Sequence, residues 1–332
     1  MLKEIDYINA SDKERSAFES FLTSWNNEGD TITVHTSGST GTPKVLVLKK
    51  SDMVHSASQT LNFLQIEKGG TALICLSMET IAGKMMAVRS IVGAMKTIVG
   101  TVSSNPLQNI LVPIDLCAMV PLQLENILKK DPSSLKTIKH LLIGGAPVSN
   151  ELEKMASDHN ISFWHTYGMT ETVSHVALRK AGKYRASTFK ALPGITFSED
   201  KGRLIIHYPL IGIESLQTND LVELLSPTEF KYIGRADFVI NSGGIKFHPE
   251  ELENRISHLI KVPFFIGGIP DPTLGQKVVL FAETDSSLNV DLEQLKNVLP
   301  QYAFPKEILS VPSFVRTESG KINRVETMKR YC

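Results

Sequence analysis

An excess of charge of either sign is missing from this chain: 35 Lys and Arg are matched by 35 Asp and Glu across 332 residues. That balance removes any overall electrostatic pull toward nucleic acid or an anionic membrane, so no nucleic-acid partner is expected. Cysteine is scarce. Cys75, Cys117 and Cys332 form no C-x-x-C pair, and the first two lie in apolar surroundings where a free thiol behaves as a small hydrophobe, which points to a reducing cytoplasm. No apolar run approaches the roughly 18–20 residues needed to cross a bilayer, and the opening stretch alternates charge with apolar residues instead of forming a signal-peptide core. Neither integral membrane association nor an export signal is therefore expected. Internal repeats and low-complexity segments are absent too. What remains is a globular chain, 42% hydrophobic and long enough for two domains or one large one.

The most informative stretch runs from His35 to Lys44, where five hydroxyl residues and two glycines separate the β-branched run Thr31 to Val34 from a second run, Val45 to Leu48. Glycines let the backbone approach an anion, hydroxyls and free N–H groups donate hydrogen bonds, and Lys44 adds a charge, so the loop suits a nucleotide triphosphate. A Ser/Gly/Thr-rich hairpin turn is the plainer reading of the same composition. The Walker loop fails on spacing, since Pro43 precedes Lys44 and Val45 follows it.

Downstream, apolar patterning predicts strands at Thr71 to Leu76 and Thr97 to Val102 around a helix at Ile81 to Val92, the signature of a mostly parallel sheet. The rhythm continues with a helix at Gln123 to Lys130, a strand at His140 to Ile143, a helix after Pro147 with capping-box spacing at Asn150 and Glu153, and a strand at Ile161 to His165. Between about Gly182 and Ile233 short strands such as Arg203 to His207 and Leu221 to Leu225 predict a β-rich subdomain. A smaller α+β unit follows: a strand at Phe238 to Asn241, a helix opening at Pro249 with a core stripe of Leu252, Ile256, Leu259 and Ile260, and later strands near Phe264, Val278 and Ile308 flanking a helix at Leu292 to Leu299.

Several segments carry chemistry. In Trp164 to Thr172 an aromatic, hydroxyls and one carboxylate gather at a predicted strand end, where open α/β sheets bind ligands. Glu171 with threonine hydroxyls beside a triphosphate is adequate for magnesium; a structural turn is the alternative. Gly144-Gly145-Ala146-Pro147 is a strand-to-helix turn whose small side chains would admit a planar ring. Asp220 is a two-oxygen acceptor, preceded by Asn219, which tolerates left-handed backbone. Arg235 and Asp237 read in isolation as a surface pair, and Arg316 to Arg324 as a basic solvated tail. Lys84 and Arg89, on the helix Ile81 to Val92, either face a second substrate carboxylate or snorkel from the helix surface. A metal site on His165 and His175 has poor spacing and no clear third ligand.

Taken in order, these segments resemble the adenylate-forming superfamily of acyl-CoA synthetases, peptide-synthetase adenylation domains and luciferases. The resemblance implies that Thr36, Ser37, Gly38, Ser39, Thr40, Gly41 and Lys44 hold ATP phosphates. It also implies that Gly145, Ala146 and Pro147 wall the adenine, that Tyr167 stacks on it beside Gly168, and that Thr170 contacts phosphate while Glu171 binds Mg²⁺. Asp220 and Arg235 would take the ribose, and Gly243 and Gly244 would line the thiol tunnel. Lys321 would bridge the attacking carboxylate and the α-phosphate, and Asp237 would be the hinge about which the small unit turns. Only about 30 residues precede the phosphate loop, so most of the family's N-terminal subdomain is expected to be missing.

Within the superfamily the chain resembles the o-succinylbenzoate–CoA ligases of menaquinone synthesis, which places Lys84, Arg89, His165 and Ser174 with the substrate. The expected architecture is α/β: residues 1–236 as a shortened nucleotide and acyl domain with a β-rich subdomain, and 237–332 as a small mobile α+β domain carrying Lys321. The expected activity is ATP-dependent ligation of a small carboxylic acid to coenzyme A through acyl-AMP, with Mg²⁺. Loading of a carrier-protein thiol and a catalytically silent nucleotide-binding protein stand as alternatives, and a homodimer is left open.

Overall fold

The structure, a computed structural model, describes residues 4–35, 45–316 and 322–332. Strand β1 (Glu4–Tyr7) leads into helix α1 (Asp12–Asn26). A capping box starts that helix: the Ser11 hydroxyl accepts the Glu14 N–H and the Glu14 carboxylate accepts the Ser11 N–H. Strands β2 (Thr31–His35) and β3 (Val45–Lys49) pair antiparallel as a two-stranded sheet of their own.

Helix α2 (Lys50–Phe63), β4 (Thr71–Ile74), α3 (Ile81–Val92), β5 (Lys96–Val99), β6 (Ile114–Met119), α4 (Pro121–Lys130), β7 (Ile138–Ile143), α5 (Asn150–Asp158) and β8 (Ser162–Gly168) then alternate. Helices α1, α2 and α3 pack through Phe18, Met53 and Met86 on one face. Helices α4 and α5 pack through Ile127 and Leu152 on the other. Helix α3 leans closely on the chain before it. At Gly83 any Cβ would lie 2.2 Å from the Ser77 carbonyl oxygen, which explains the glycine inside a helix.

Strands β9 (His175–Gly182), β10 (Phe189–Ala191), β11 (Thr196–Asp200), β12 (Arg203–Tyr208), β13 (Ile213–Ser226) and β14 (Glu229–Arg235) complete a twelve-stranded sheet in the order β1-β5-β4-β6-β7-β8-β9-β10-β14-β13-β12-β11. The pairs from β1 to β8 are parallel, and every later pair is antiparallel. The β-rich region therefore continues the parallel sheet instead of forming a sheet of its own, because β9 turns back along β8 from Ser162↔Gly182 to Gly168↔His175.

The rest of the chain builds a five-stranded sheet from β15 (Ile240–Ser242), β16 (Ile245–Phe247), β17 (Phe264–Asp271), β18 (Gly275–Glu283) and β19 (Glu307–Val311), with helices α6 (Pro249–Ile256), α7 (Leu292–Val298) and α8 (Arg324–Tyr331). Its core gathers Leu252, Ile256, Ile260, Leu280 and Leu295. Helix α6 ends at Ile256, and the chain continues as a turn in which the Leu259 N–H bonds the Ile256 carbonyl, so Ile260 reaches the core from outside the helix.

Three local expectations are corrected. The cap of α5 is Ser149, whose hydroxyl accepts the Leu152 N–H; Glu153 is buried and ion-paired to Arg179 and Arg185. Phe238 belongs to a single 3-10 turn, Ala236–Phe238, ahead of β15. Asn219 lies inside β13 and is not among the residues with positive φ, so it makes no use of left-handed backbone. Among the described residues no helix is long and apolar enough to cross a membrane.

Candidate active site

The site is organised by the end of β8. At Gly168 the chain passes so close to β9 that a Cβ would lie 2.3 Å from the Ser174 carbonyl oxygen, so glycine is required. The 3-10 turn Thr170–Thr172 follows, tied by the buried Thr172 hydroxyl, which accepts the Met169 N–H at 3.1 Å. Val173, buried at φ 67°, closes the turn in a region that β-branched residues rarely adopt. Such strain persists only where surrounding packing holds it. Glu171 within this turn is exposed, and no hydrogen bond or ion pair engages it among the described residues.

Tyr167, on β8, packs edge-on against Phe230 at 5.1 Å and donates its hydroxyl to Asp220 Oδ2 at 2.5 Å. Asp220 on β13 lies in register with Arg235 on β14, and its other oxygen stands 3.7 Å from the Arg235 guanidinium. Arg235 in turn donates to both oxygens of Asp237, at 2.9 and 2.8 Å. Burial raises the Asp220 carboxyl above the usual range, and its contacts with Tyr167 and Arg235 offset only part of that. Burial likewise raises the Tyr167 phenol, so the hydroxyl remains a donor at neutral pH. One oxygen of Asp220 is thus committed to Tyr167, which leaves Oδ1 as the less occupied acceptor.

Gly145, Ala146 and Pro147 leave the end of β7 beside this cluster, since β7 and β8 run parallel. Gly145 has φ 81°, as the turn requires, and a Cβ on Gly144 would lie 2.0 Å from the Thr166 hydroxyl on the neighbouring strand β8.

A second cluster lies on β9 and α3. Arg89 is only 2% exposed; it donates to the Ser174 hydroxyl at 2.7 Å and lies 3.4 Å from His175 Nδ1. Because a guanidinium can only donate, Nδ1 is the acceptor, Nε2 carries the proton toward the Thr60 hydroxyl at 2.9 Å, and Thr60 donates onward to the Ser56 carbonyl. Burial pulls Arg89 down to about 9, still a cation at neutral pH. No carboxylate pairs with it among the described residues, and its Nε has no partner. Snorkelling is thereby excluded for Arg89. Lys84 goes elsewhere: half-buried, it donates to the Met78 carbonyl at 2.5 Å, so the two cations do not converge.

His165 is tied into a different network. Arg179 donates to His165 Nδ1 at 3.0 Å and to Glu153 at 2.5 Å, and burial with the Arg179 charge lowers His165 to about 3, leaving it neutral. Gly243 and Gly244 form the two-residue turn between β15 and β16, with φ 60° and 82°.

Residues 36–44, and with them Thr36, Ser37, Gly38, Ser39, Thr40, Gly41 and Lys44, lie outside the described residues, as does Lys321. The His35↔Val45 pair and the Arg316↔Ile322 bridge frame the two segments. Sequence patterning missed the surroundings of Arg235. Glu250 on α6 accepts the Arg235 N–H at 3.3 Å, and Arg324 forms a two-pronged pair with Glu253 at 2.8 Å while lying over Phe238. No spacing within the chain signals that α6 would be oriented there.

The chain belongs to the family of AMP-binding enzymes, whose profile matches residues 4–197. Among solved structures, the acyl-CoA synthetase (AMP-forming)/AMP-acid ligase II-like protein of Dyadobacter fermentans is 34% identical, with a TM-score of 0.64 over 98% of this chain and 96% of its own. The 2-succinylbenzoate–CoA ligase of Listeria monocytogenes is 25% identical over 93% of this chain and 72% of its own length. The fold is shared with the o-succinylbenzoate coenzyme A synthetase of Bacillus subtilis, solved with ATP and magnesium, at a TM-score of 0.76 and 20% identity over 89% of this chain and 69% of that one.

Proposed function

We propose that this chain is an AMP-forming acid–CoA ligase that activates o-succinylbenzoate for menaquinone synthesis. The observation that carries the substrate is Arg89: a buried cation that pairs with no carboxylate among the described residues, beside the Ser174 hydroxyl, in a chain of the AMP-binding family. Desolvating a charge is costly unless it is paired, and an acid with a second carboxylate supplies the missing partner. Relatives of similar sequence act as 2-succinylbenzoate–CoA ligases, which supports the same reading.

In this reading the chain divides at Asp237, with the nucleotide and acyl site before it and Lys321 after it. Tyr167 and the Gly145 to Pro147 turn flank the adenine, while Asp220 Oδ1 and Arg235 hold the ribose. Thr170 and the 36–44 loop donate to the phosphates. Glu171 fits magnesium, being an exposed carboxylate beside a threonine hydroxyl. That suits an ion that takes one or two carboxylates together with substrate phosphates. When bound, it neutralises phosphate charge.

A substrate carboxylate oxygen bonds to the α-phosphorus as the bond to the β-phosphate breaks, releasing pyrophosphate. Lys321 stabilises the charge that develops. The coenzyme A sulfur then bonds to the acyl carbon, the thiol proton is lost, and AMP leaves with the electron pair of the broken C–O bond. Asp237 is the pivot between the two steps. Incubation with o-succinylbenzoate, ATP, magnesium and coenzyme A, followed by mass spectrometry, is expected to give the acyl thioester with stoichiometric AMP. Production of ADP, or an adenylate that never reaches coenzyme A, would contradict it.

A further inference from the structure

A cleft of about 540 Å³ opens between the β11–β12 edge of the large sheet and the start of the second sheet. Its walls are chemically one-sided. Lys201 and Arg203 line it from the β11–β12 turn, and Lys246 and His248 line it from β16 and the position capping α6. None of the three cations enters an ion pair among the described residues. The His248 Nδ1 atom is buried without a hydrogen-bond partner. A single carboxylate, Asp200, shares the lining, and the Gln217 amide reaches it at 3.5 Å.

The backbone holds these groups in place. Lys201 and Gly202 form a tight turn with φ 51° and 76°, and Gly243 and Gly244 form another at the head of the hairpin that carries Lys246. Cations presented by two stiff hairpins across a solvent gap repel one another, and three positive charges against one negative leave the gap electropositive. The floor is different. Leu221, Ala236 and Val239 give an apolar surface, and the volume falls in the range of small-molecule sites.

We propose that this cleft binds a phosphate-bearing anion of pyrophosphate to nucleotide size, clamped by Lys201 and Arg203 on one wall and by Lys246 and His248 on the other. Tyr167, Asp220 and Arg235 do not line the cleft, although its floor residues Leu221 and Ala236 directly follow Asp220 and Arg235, and the proposal goes beyond the ligase reading. Because the clamp draws on both sheets, occupancy ties them together. It also borders Asp237: burial pushes that carboxyl up, but hydrogen bonds from Arg235 and the charge of Arg203 hold it below the usual range. An anion that engages Arg203 therefore competes for a charge that reaches the proposed pivot.

The test is site-resolved acetylation of lysine amines on the full chain, followed by peptide mass spectrometry, with exposed Lys136 and Lys139 as internal controls. Pyrophosphate and ADP are expected to slow modification of Lys201 and Lys246 together by several-fold, and adenosine is expected to have no effect. Arg203→Ala, at an exposed position, and Lys246→Gln should each raise the protecting concentration about tenfold, the loss of one charge-assisted hydrogen bond. Asp220→Asn should leave the protection in place. Unchanged modification rates with both anions, protection by adenosine equal to that by ADP, or protection that survives Arg203→Ala but vanishes in Asp220→Asn would each overturn the proposal.

Discussion

Replacing Arg89 with methionine separates two properties that a structural arginine would keep together. Arg89 is 2% exposed, has one unsatisfied nitrogen and faces no carboxylate among the described residues. Burial lowers it to about 9, roughly three pH units or more below an ordinary arginine, which corresponds to about 5 kcal/mol of unfavourable charge burial. Methionine fills a similar volume without that cost but forfeits the hydrogen bonds to Ser174 and His175, each of which contributes about 1–3 kcal/mol when one partner is charged. The two terms nearly cancel, so thermal unfolding of Arg89→Met should match the wild type or exceed it by a few kcal/mol. Catalysis should not be spared. Loss of a charge-assisted contact to the second substrate carboxylate removes about 1.5–3 kcal/mol, so kcat/KM for o-succinylbenzoate should fall about 10- to 150-fold. Activity with a matched monocarboxylic acid should change little. A variant that melts well below the wild type yet retains its kcat/KM would show that Arg89 serves the core and not the substrate.

Two further predictions concern the nucleotide. Asp220→Asn keeps the shape but loses the charge-assisted acceptor, so KM for ATP should rise about tenfold or more, as read by steady-state kinetics at saturating acid. Since burial raises the Asp220 carboxyl and ribose hydroxyls need its ionised form, wild-type KM for ATP should climb as pH falls toward that raised value, while the asparagine variant stays flat. A wild-type KM indifferent to acidification would refute the assignment. Lys321→Ala should suppress acid-dependent pyrophosphate release on the order of a hundredfold while leaving thioester formation from supplied acyl-adenylate largely intact; equal loss in both half-reactions would contradict the division of labour.

How much of this was legible in the residue order depends on how local each feature is. Helix α3 spans Ile81–Val92 as its apolar pattern indicates, since Thr80 caps it and a dense run of Met, Ala and Val buries one side. Helix α2 gave no such signal because its buried residues include Ser56, Gln59 and Thr60, whose polarity breaks the periodicity. Those side chains are buried to serve partners distant in sequence: Thr60 meets His175, and Gln59 accepts the hydroxyl of Tyr208. Short apolar runs do not reveal strand direction, so the switch from parallel to antiparallel pairing at β8 and β9 lay beyond local patterning.

The same limit divides the site. Tyr167, Asp220 and Arg235 each sit in a recognisable segment, but their convergence depends on the register of β13 against β14. Arg89 and Lys84 look alike as cations on one helix; five residues apart, they project in different directions, and only one enters the core. Glu250 and the Arg324–Glu253 pair come from the packing of α6 near Arg235, which no spacing within the chain encodes.

The proposed function requires that separate stretches of this chain assemble one ATP site at which a carboxylic acid is adenylated. Isotope exchange between labelled pyrophosphate and ATP, with magnesium and without coenzyme A, measures that step alone. Exchange that depends on an added acid, with o-succinylbenzoate well above succinate and benzoate, is the predicted result. Exchange absent with every acid, from protein that demonstrably binds ATP, would contradict it.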